Sequence, residues 1–195
     1  MRSDAARNRD RILEAARELI GRDGPSVSMD AIAEAAGVAV GTLYRHHPTK
    51  AALVDAVVRQ SIDQISLEAI AARDRVEAGA DVGDELADLF RFVAARHATD
   101  MAVKQAAQTL GAYEPPTVED LESAAFAPGS TELAAWDAIN DLLTRAKRSG
   151  EVRSDLGAAD LMALLAGVPG SDVPADVRDR YIDIVLAGMR PSTTG

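Results

Sequence analysis

The chain has 195 residues with 21 basic and 31 acidic side chains, which give a net charge of −10, and 47% of its residues are hydrophobic. This length suits one compact domain of roughly 200 residues or a small module joined to a larger one, and the hydrophobic content excludes a wholly disordered chain. The absence of cysteine excludes disulfides and thiolate metal sites, and it fits a reducing cytoplasm. With three histidines and no run of about 18 apolar residues, we expect no metal, no cofactor and no membrane span.

The overall charge predicts a poor nucleic-acid binder, because phosphates repel an acidic protein. The charge is distributed unevenly, however. Residues 1–50 carry 8 basic and 7 acidic side chains, whereas residues 51–195 carry 13 and 24. Since the local surface decides binding, the first segment remains a candidate for contact with DNA.

Helical periodicity dominates the sequence, and alternating strand patterns are nearly absent. Ile12, Ala16 and Ile20 follow one face of a first helix that Gly24 ends. Ser28 is placed to cap a second, short helix. The spacing predicts an all-α protein of about nine helices.

The third helix is predicted over residues 39–46, because Pro48 disfavours helical geometry just before it. Thr49 is placed to cap a long fourth helix over about 49–72. Later helical patterns occupy 131–148, 157–168 and 174–189.

Charged residues on the first helix predict a solvated stripe. Asp10, Glu14 and Glu18 recur every four residues, where they would pair with Arg17 and Arg22. The basic residues before this stripe have two interpretations, a solvated terminus or an arm that contacts DNA; they are Arg7, Arg9 and Arg11.

Residues 26–50 have the spacing of a helix-turn-helix, whose second helix enters the DNA major groove. Gly37 occupies the turn, where a left-handed backbone is easiest for glycine. Ile32, Val38 and Leu43 would hold the two helices together. Residues 39–50 contain no acidic side chain, as contact with phosphates requires.

The run G-T-L-Y-R-H-H-P-T-K at 41–50, preceded by A-I-A-E-A-A-G-V at 31–38, resembles the DNA-binding module of TetR-type transcriptional regulators. The resemblance covers residues 7–65, and beyond residue 70 it is only architectural. It implies a helix-turn-helix domain at 1–50 and an effector-binding and dimerisation domain at 51–195. The implied function is that of a ligand-responsive repressor, released from its operator by a small molecule.

The resemblance also implies which residues meet DNA. Thr42 and Tyr44 match positions whose hydroxyl groups contact the DNA backbone. Lys50 matches a lysine that contacts a DNA phosphate. The remaining positions face base edges, and among them Arg45 would read guanine through O6 and N7. The predicted DNA-binding residues are Val40, Gly41, Thr42, Tyr44, Arg45, His46 and Lys50.

Two residues depart from the family pattern. His47 stands where phenylalanine usually packs under the motif, and we expect it to be a partly exposed substitute. Ala39 stands where a capping serine is common, which would weaken the third helix by about 1 kcal/mol. The sequence therefore predicts an intact motif with a weakened recognition helix.

The last two helices are apolar on more than one side, which indicates deep burial or a partner helix. The resemblance implies a homodimer that packs these helices as a four-helix bundle; the alternative is a second contact within the chain. The predicted interface residues are Leu161, Leu165, Val177, Tyr181, Ile182, Val185, Leu186 and Met189.

Five of the seven aromatic residues lie between positions 90 and 136. In the family this region encloses the site of a small-molecule effector; the alternative is that the aromatic rings simply fill the core. The predicted pocket residues are Phe90, Phe92, Met101, Gln105, Tyr113, Phe126 and Trp136.

Two further classes of protein remain as alternatives. An enzyme is disfavoured, because the chain has no nucleophile elbow, P-loop, dinucleotide fingerprint or H-E-x-x-H motif. A helical interaction module, or an activator without small-molecule control, would carry the same helical pattern.

Overall fold

The computed structural model describes residues 4–114, 126–170 and 172–191, and all regular structure in these ranges is helical. The all-α prediction is therefore confirmed, with eight helices in the described part of the chain. In order they are α1 (Asp4–Asp23), α2 (Met29–Ala35), α3 (Val40–His46), α4 (Lys50–Glu77), α5 (Val82–Thr109), α6 (Thr131–Ser149), α7 (Ala158–Ala166) and α8 (Ala175–Met189).

The helices pack into two compact units. Unit 1 contains the described residues of 1–61 and 99–115, and unit 2 contains those of 62–98 and 116–195. Both α4 and α5 therefore carry residues of both units. The predicted boundary after residue 50 stays a prediction, whereas Cα packing divides the chain after residue 61 and adds the end of α5 to the first unit.

Local signals set the ends of the short helices in unit 1. The Ser28 hydroxyl accepts a hydrogen bond from the Ala31 amide at 3.1 Å, which confirms its predicted cap on α2. Gly37 has a φ of 62°, in the left-handed region, where the chain turns from α2 towards α3. The Thr49 hydroxyl accepts from the Ala52 amide at 3.1 Å, and α4 continues to Glu77, five residues beyond its predicted end.

In unit 1, α1 packs on α2 and α2 packs on α3. Ile12, Ile20 and Ile32 are completely buried, as their helical spacing predicts. Glu14 and Glu18 of the predicted stripe are exposed, but Arg17, the expected partner of the stripe, is only 6% exposed. Its Nη1 does pair with Glu14 at 3.0 Å, but its Nε donates to Asp100 on α5, also at 3.0 Å. Tertiary packing thus buries a residue that the charge pattern places in solvent.

In unit 2, a core of aliphatic side chains joins α6, α7 and α8. Leu142 is completely buried, and Leu161 and Ile182 are each 6% exposed. Helix α6 begins at a Ser130 cap, whose hydroxyl accepts from the Leu133 amide at 3.2 Å. None of the helices in the described ranges is long and apolar enough to cross a membrane.

Candidate nucleic-acid interface

Helix α3 has one buried side and one exposed side. Leu43 is completely buried, while Tyr44 is 45% exposed and Val40 is 38% exposed. Arg45 and His46 are exposed in the last turn, where cationic groups interact favourably with the helix dipole. Of the seven predicted DNA-binding residues, the structure leaves five exposed and two, Thr42 and Lys50, half-buried.

Helix α3 begins without a side-chain cap. Ala39 has the extended backbone of a cap residue, with φ −64° and ψ 140°, but no side-chain oxygen to accept a hydrogen bond. Only its carbonyl contributes, accepting from the Thr42 amide at 2.8 Å. The predicted absence of a cap is confirmed. The recognition helix is therefore short, with seven residues, and weakly initiated.

Gly41 is not required by the fold. A Cβ atom built at this position would have no neighbour within 4 Å, and the backbone is not in the left-handed region. The missing side chain therefore leaves open surface on the first turn of α3. This is the arrangement that close approach by another molecule's backbone would use.

The prediction that His47 is partly exposed is wrong, because its side chain is 6% exposed. Its Nε2 is buried without a hydrogen-bond partner. Burial lowers the pKa of His47, and the charges of His46 and Arg9 lower it further, against a backbone hydrogen bond with Ala52 that raises it. Burial beneath α3 thus favours the neutral form of the His47 imidazole.

Lys50 lies at the start of α4, where the positive end of a helix dipole disfavours a cation. Its Nζ donates to the carbonyl oxygens of Pro25 and Val27, in the loop between α1 and α2. These carbonyls compensate the ammonium and join the loop to α4. A third proton remains on the ammonium, so the predicted phosphate contact stays a prediction beside this internal role.

Exposed basic side chains lie on α3 and at the start of α1. Residues 39–50 contain no carboxylate side chain, and Arg7, Arg9 and Arg11 on α1 are exposed. A Cβ built at Gly37, in the turn before α3, would lie 3.8 Å from Nη1 of Arg11. The basic end of α1 therefore reaches the helix-turn-helix. Within the described ranges, no group of three His, Cys, Asp or Glu residues is arranged to hold a metal ion.

The predicted pocket residues do not share one environment. Phe90 is buried in the core of unit 2, while Phe92 is half-buried with the Arg96 guanidinium 5.9 Å from its ring centre. Met101 and Gln105 are exposed residues of unit 1. The others are half-buried, and they are Tyr113, Phe126 and Trp136. Burial raises the pKa of Tyr113, which lines a shallow depression with Gln108.

The predicted dimer residues fall into three groups. Leu161, Ile182 and Met189 are already buried in the core of unit 2, which leaves little of them for a partner. Tyr181 is half-buried, and its hydroxyl donates to the Leu164 carbonyl at 3.2 Å. The half-buried aliphatic residues are Leu165, Val185 and Leu186, and Val177 is exposed.

Two more exposed apolar residues lie on α7 and α8, and neither is among the predicted dimer residues. Ile184 is 65% exposed and Met162 is 37% exposed, beside Val177 at 42%. Large aliphatic side chains on one pair of helices are typical of surfaces that a partner covers. The signal was present in the sequence, since Ile184 follows Val177 by seven residues on one face of α8.

Two segments of the chain match known protein families. Residues 12–57 match the family described as bacterial regulatory proteins, tetR family. Residues 83–191 match the domain described as transcriptional regulator SbtR-like, C-terminal domain. An HTH-type transcriptional regulator of Staphylococcus aureus strain USA300 is 42% identical over 64 residues, which are 32% of this chain and 35% of that protein. The match thus spans about a third of the length of this curated relative.

Solved structures are similar along nearly the whole chain. A TetR transcription regulatory protein from Mycobacterium vanbaalenii is 34% identical, with a TM-score of 0.66, over 96% of this chain and 98% of that one. A TetR transcriptional regulator from Streptomyces coelicolor is 26% identical, with a TM-score of 0.62, over 95% and 99% of the two chains. These matches, with the two family assignments, show that the chain belongs to the TetR family of bacterial regulatory proteins.

Proposed function

We propose that this TetR-family protein is a homodimeric repressor, that α3 reads its operator, and that a small-molecule effector releases it. The observation that carries the proposal is the amphipathic character of α3. Leu43 anchors the helix in unit 1, while Tyr44 and Arg45 remain exposed on a stretch that has no carboxylate side chain. An exposed polar helix without negative charge is what the major groove accepts.

The exposed residues take different roles in this proposal. Arg45 donates to O6 and N7 of guanine, a contact worth about 1–3 kcal/mol of discrimination between bases. Tyr44, Thr42 and Lys50 bind phosphates and fix the register of α3 on the duplex, without specifying sequence. Val40, Gly41 and His46 lie against base edges.

A homodimer would present two copies of α3 to half-sites about 34–36 Å apart. The exposed aliphatic side chains of α7 and α8 support a partner at these helices, as the family relationship does. Their most exposed member is Ile184. The proposal assigns no catalytic residue, and binding to chromosomal DNA would place the protein in the cytoplasm.

The effector in this proposal is a small, largely apolar molecule, bound in the region of the aromatic residues between 90 and 136. Support comes from membership of the TetR family, since the predicted pocket residues themselves lie in different environments. The effector must prefer a conformation whose recognition helices do not match the operator, since only differential affinity shifts an equilibrium. A compound library screened against the protein–operator complex tests this step, and the expected hit lowers operator affinity in proportion to occupancy.

The experiment that tests DNA reading is selection of binding sites from a randomised duplex library. We expect enrichment of a two-fold symmetric sequence whose affinity falls steeply with salt. Arg45→Ala should relax the base preference, and Tyr44→Ala should weaken binding to all sequences alike. Arg22→Ala is the matched control, because Arg22 is also an exposed arginine of unit 1 but pairs with Asp23 at the far end of α1. Failure of the wild-type protein to enrich any sequence would exclude DNA reading.

A reporter gene placed behind the selected operator separates repression from activation. We expect the protein to lower expression of the reporter, with Tyr44→Ala relieving the effect. Increased expression would assign the protein as an activator with the same DNA-binding face.

A further inference from the structure

A buried polar cluster joins three helices within unit 1. Arg17 on α1, Ser61 on α4 and Asp100 on α5 are 6%, 1% and 2% exposed. The Arg17 Nε donates to Oδ1 of Asp100 at 3.0 Å, and the Ser61 hydroxyl donates to Oδ2 of the same carboxylate. Both oxygens of Asp100 are therefore engaged, one by α1 and the other by α4.

The remaining nitrogens of Arg17 also have partners. Nη1 donates to Glu14 at 3.0 Å and Nη2 donates to Gln60 on α4 at 3.3 Å. Lys104, one turn after Asp100, has a pKa lowered by burial, which the charge of Asp100 opposes. Asp100, the single buried carboxylate of α5, thus faces a cation from α1, a hydrogen-bond donor from α4 and a cation from its own helix.

Stability alone does not account for such a cluster. Buried ion pairs often contribute no more than apolar side chains of the same volume, because desolvation offsets their attraction. An ion pair differs from apolar packing in its demand for one geometry, about 3 Å between the charged atoms. Apolar helices can slide past each other, whereas α5 cannot slide past Arg17 without separating these charges.

The sequence of α5 opposes the slipped arrangements as well. Arg96 precedes Asp100 by four residues, and Lys104 follows it by four. A shift of α5 by one turn, about 5.4 Å, would bring one of these cations to the place of Asp100, opposite Arg17. Like charges at that position would repel, so the alternation of charges favours a single register.

We propose that Asp100 is a positioning residue for DNA binding, which fixes the register of α5 against α1 and α4 through Arg17 and Ser61. This inference rests on the proposed function, because it assigns to the cluster the placement of the two recognition helices on an operator. It predicts that the spacing between half-sites is recognised only while the cluster is intact.

The test replaces the cluster by apolar residues, in the variant Arg17→Met, Ser61→Ala, Asp100→Leu. We expect this variant to fold and to unfold at a temperature close to that of the wild type, because Arg17 and Asp100, the buried ion pair of the cluster, are removed together. Operator affinity should fall about tenfold, a typical magnitude for coupling within a protein. Its preference for the selected half-site spacing, over spacings changed by one base pair, should be lost.

Asp100→Glu supplies a second variant that keeps the charge but lengthens the side chain by one methylene. We expect a folded protein with reduced operator affinity and altered spacing preference. Asp88→Asn is the control, since Asp88 is an exposed carboxylate of the same helix, paired with Arg91, and should leave affinity and spacing unchanged.

The inference is overturned when the wild type discriminates between spacings and the folded apolar variant discriminates equally. Loss of folding in both variants would also overturn it, because the cluster would then be a requirement of the fold. If the wild type itself binds no sequence preferentially, the proposed function has failed, and this outcome is distinct from both.

Discussion

At the scale of single residues, a substitution at Gly41 should have opposite effects on stability and on DNA binding. Open space surrounds this position, and alanine is the better helix former, so Gly41→Ala should stabilise α3 by about 0.5–1 kcal/mol. The added methyl group should nevertheless weaken operator binding, because it blocks close approach of the helix. Thermal unfolding and DNA titration measure the two effects separately. An increase in affinity together with stability would show that Gly41 does not lie against DNA.

His47 gives unit 1 a dependence on pH. In the unfolded chain its pKa is near 6.5, whereas burial lowers the pKa in the folded protein. Between these two values the unfolded state binds more protons, so the free energy of unfolding falls as pH decreases below about 6.5. His47→Phe should remove this component of the pH dependence and also eliminate the unpaired Nε2.

Unfolding by denaturant between pH 5 and pH 8 measures the effect of His47→Phe. His46→Gln is the comparison variant: its pH dependence should be only slightly weaker than that of the wild type, because burial lowers the pKa of His47 more than the charge of His46 does. A wild-type profile identical to that of His47→Phe would show that the buried imidazole is not the group responsible.

Several of these residues follow from local sequence alone. Ser28, Gly37 and Thr49 act within three residues along the chain, so their roles as caps and turn are visible in the sequence. Arg17 and Asp100 are 83 residues apart, and no local pattern relates them. The burial of His47 likewise depends on the elements packed around it. The features that the sequence did not predict are therefore those that depend on contacts between distant parts of the chain.

At the scale of elements, the stability of α3 as a helix is low, because the helix is short and has no side-chain cap. It has seven residues, and its cap position holds Ala39 with a backbone already suited to a capping side chain. Ala39→Ser should therefore stabilise the protein by about 1 kcal/mol and raise its melting temperature by several degrees. Ala35→Ser, an exposed position at the end of α2, serves as the control and should be neutral or slightly destabilising. Equal melting temperatures for wild type and Ala39→Ser would contradict this account.

Helix lengths were harder to predict than helix positions. Ser28 and Gly37 mark the two ends of α2, whereas α4 runs to Glu77, beyond its expected end near residue 72. At that end Arg75 pairs with both Glu68 and Glu85, the second from α5. Contacts with a helix later in the chain thus accompany the additional turn, and periodicity within one segment does not contain them.

At the scale of the whole molecule, the proposed dimer depends on exposed apolar surface. Ile184→Glu places a charge at the most exposed aliphatic position of α8 and should dissociate the dimer, because burying an unpaired charge is costly. Leu67→Glu is the matched control, since Leu67 is 60% exposed on α4 in the same unit and should leave the dimer intact. Light scattering after size exclusion gives the mass of each variant. Equal dissociation by both substitutions would place the interface elsewhere.

The net charge of −10 is not an obstacle to DNA binding, because the deficit belongs to residues 51–195. The first 50 residues are nearly balanced, and residues 39–50, which include α3, contain no carboxylate side chain. The net charge of the whole chain argued against DNA binding, whereas the charge of residues 1–50 left them as a candidate for DNA contact, and the motif at residues 31–50 indicated the family. The acidic remainder would keep other surfaces from competing for the phosphates.

The central claim is that the exposed face of α3 reads sequence through Arg45. Its most direct test is the ratio of affinities for the selected operator and for a scrambled duplex, measured at one salt concentration for the wild type, Arg45→Ala and Arg22→Ala. We expect a wild-type ratio of at least about 1,000. Arg45→Ala should lower this ratio about tenfold or more, with Arg22→Ala unchanged. An unchanged ratio for Arg45→Ala would contradict the claim.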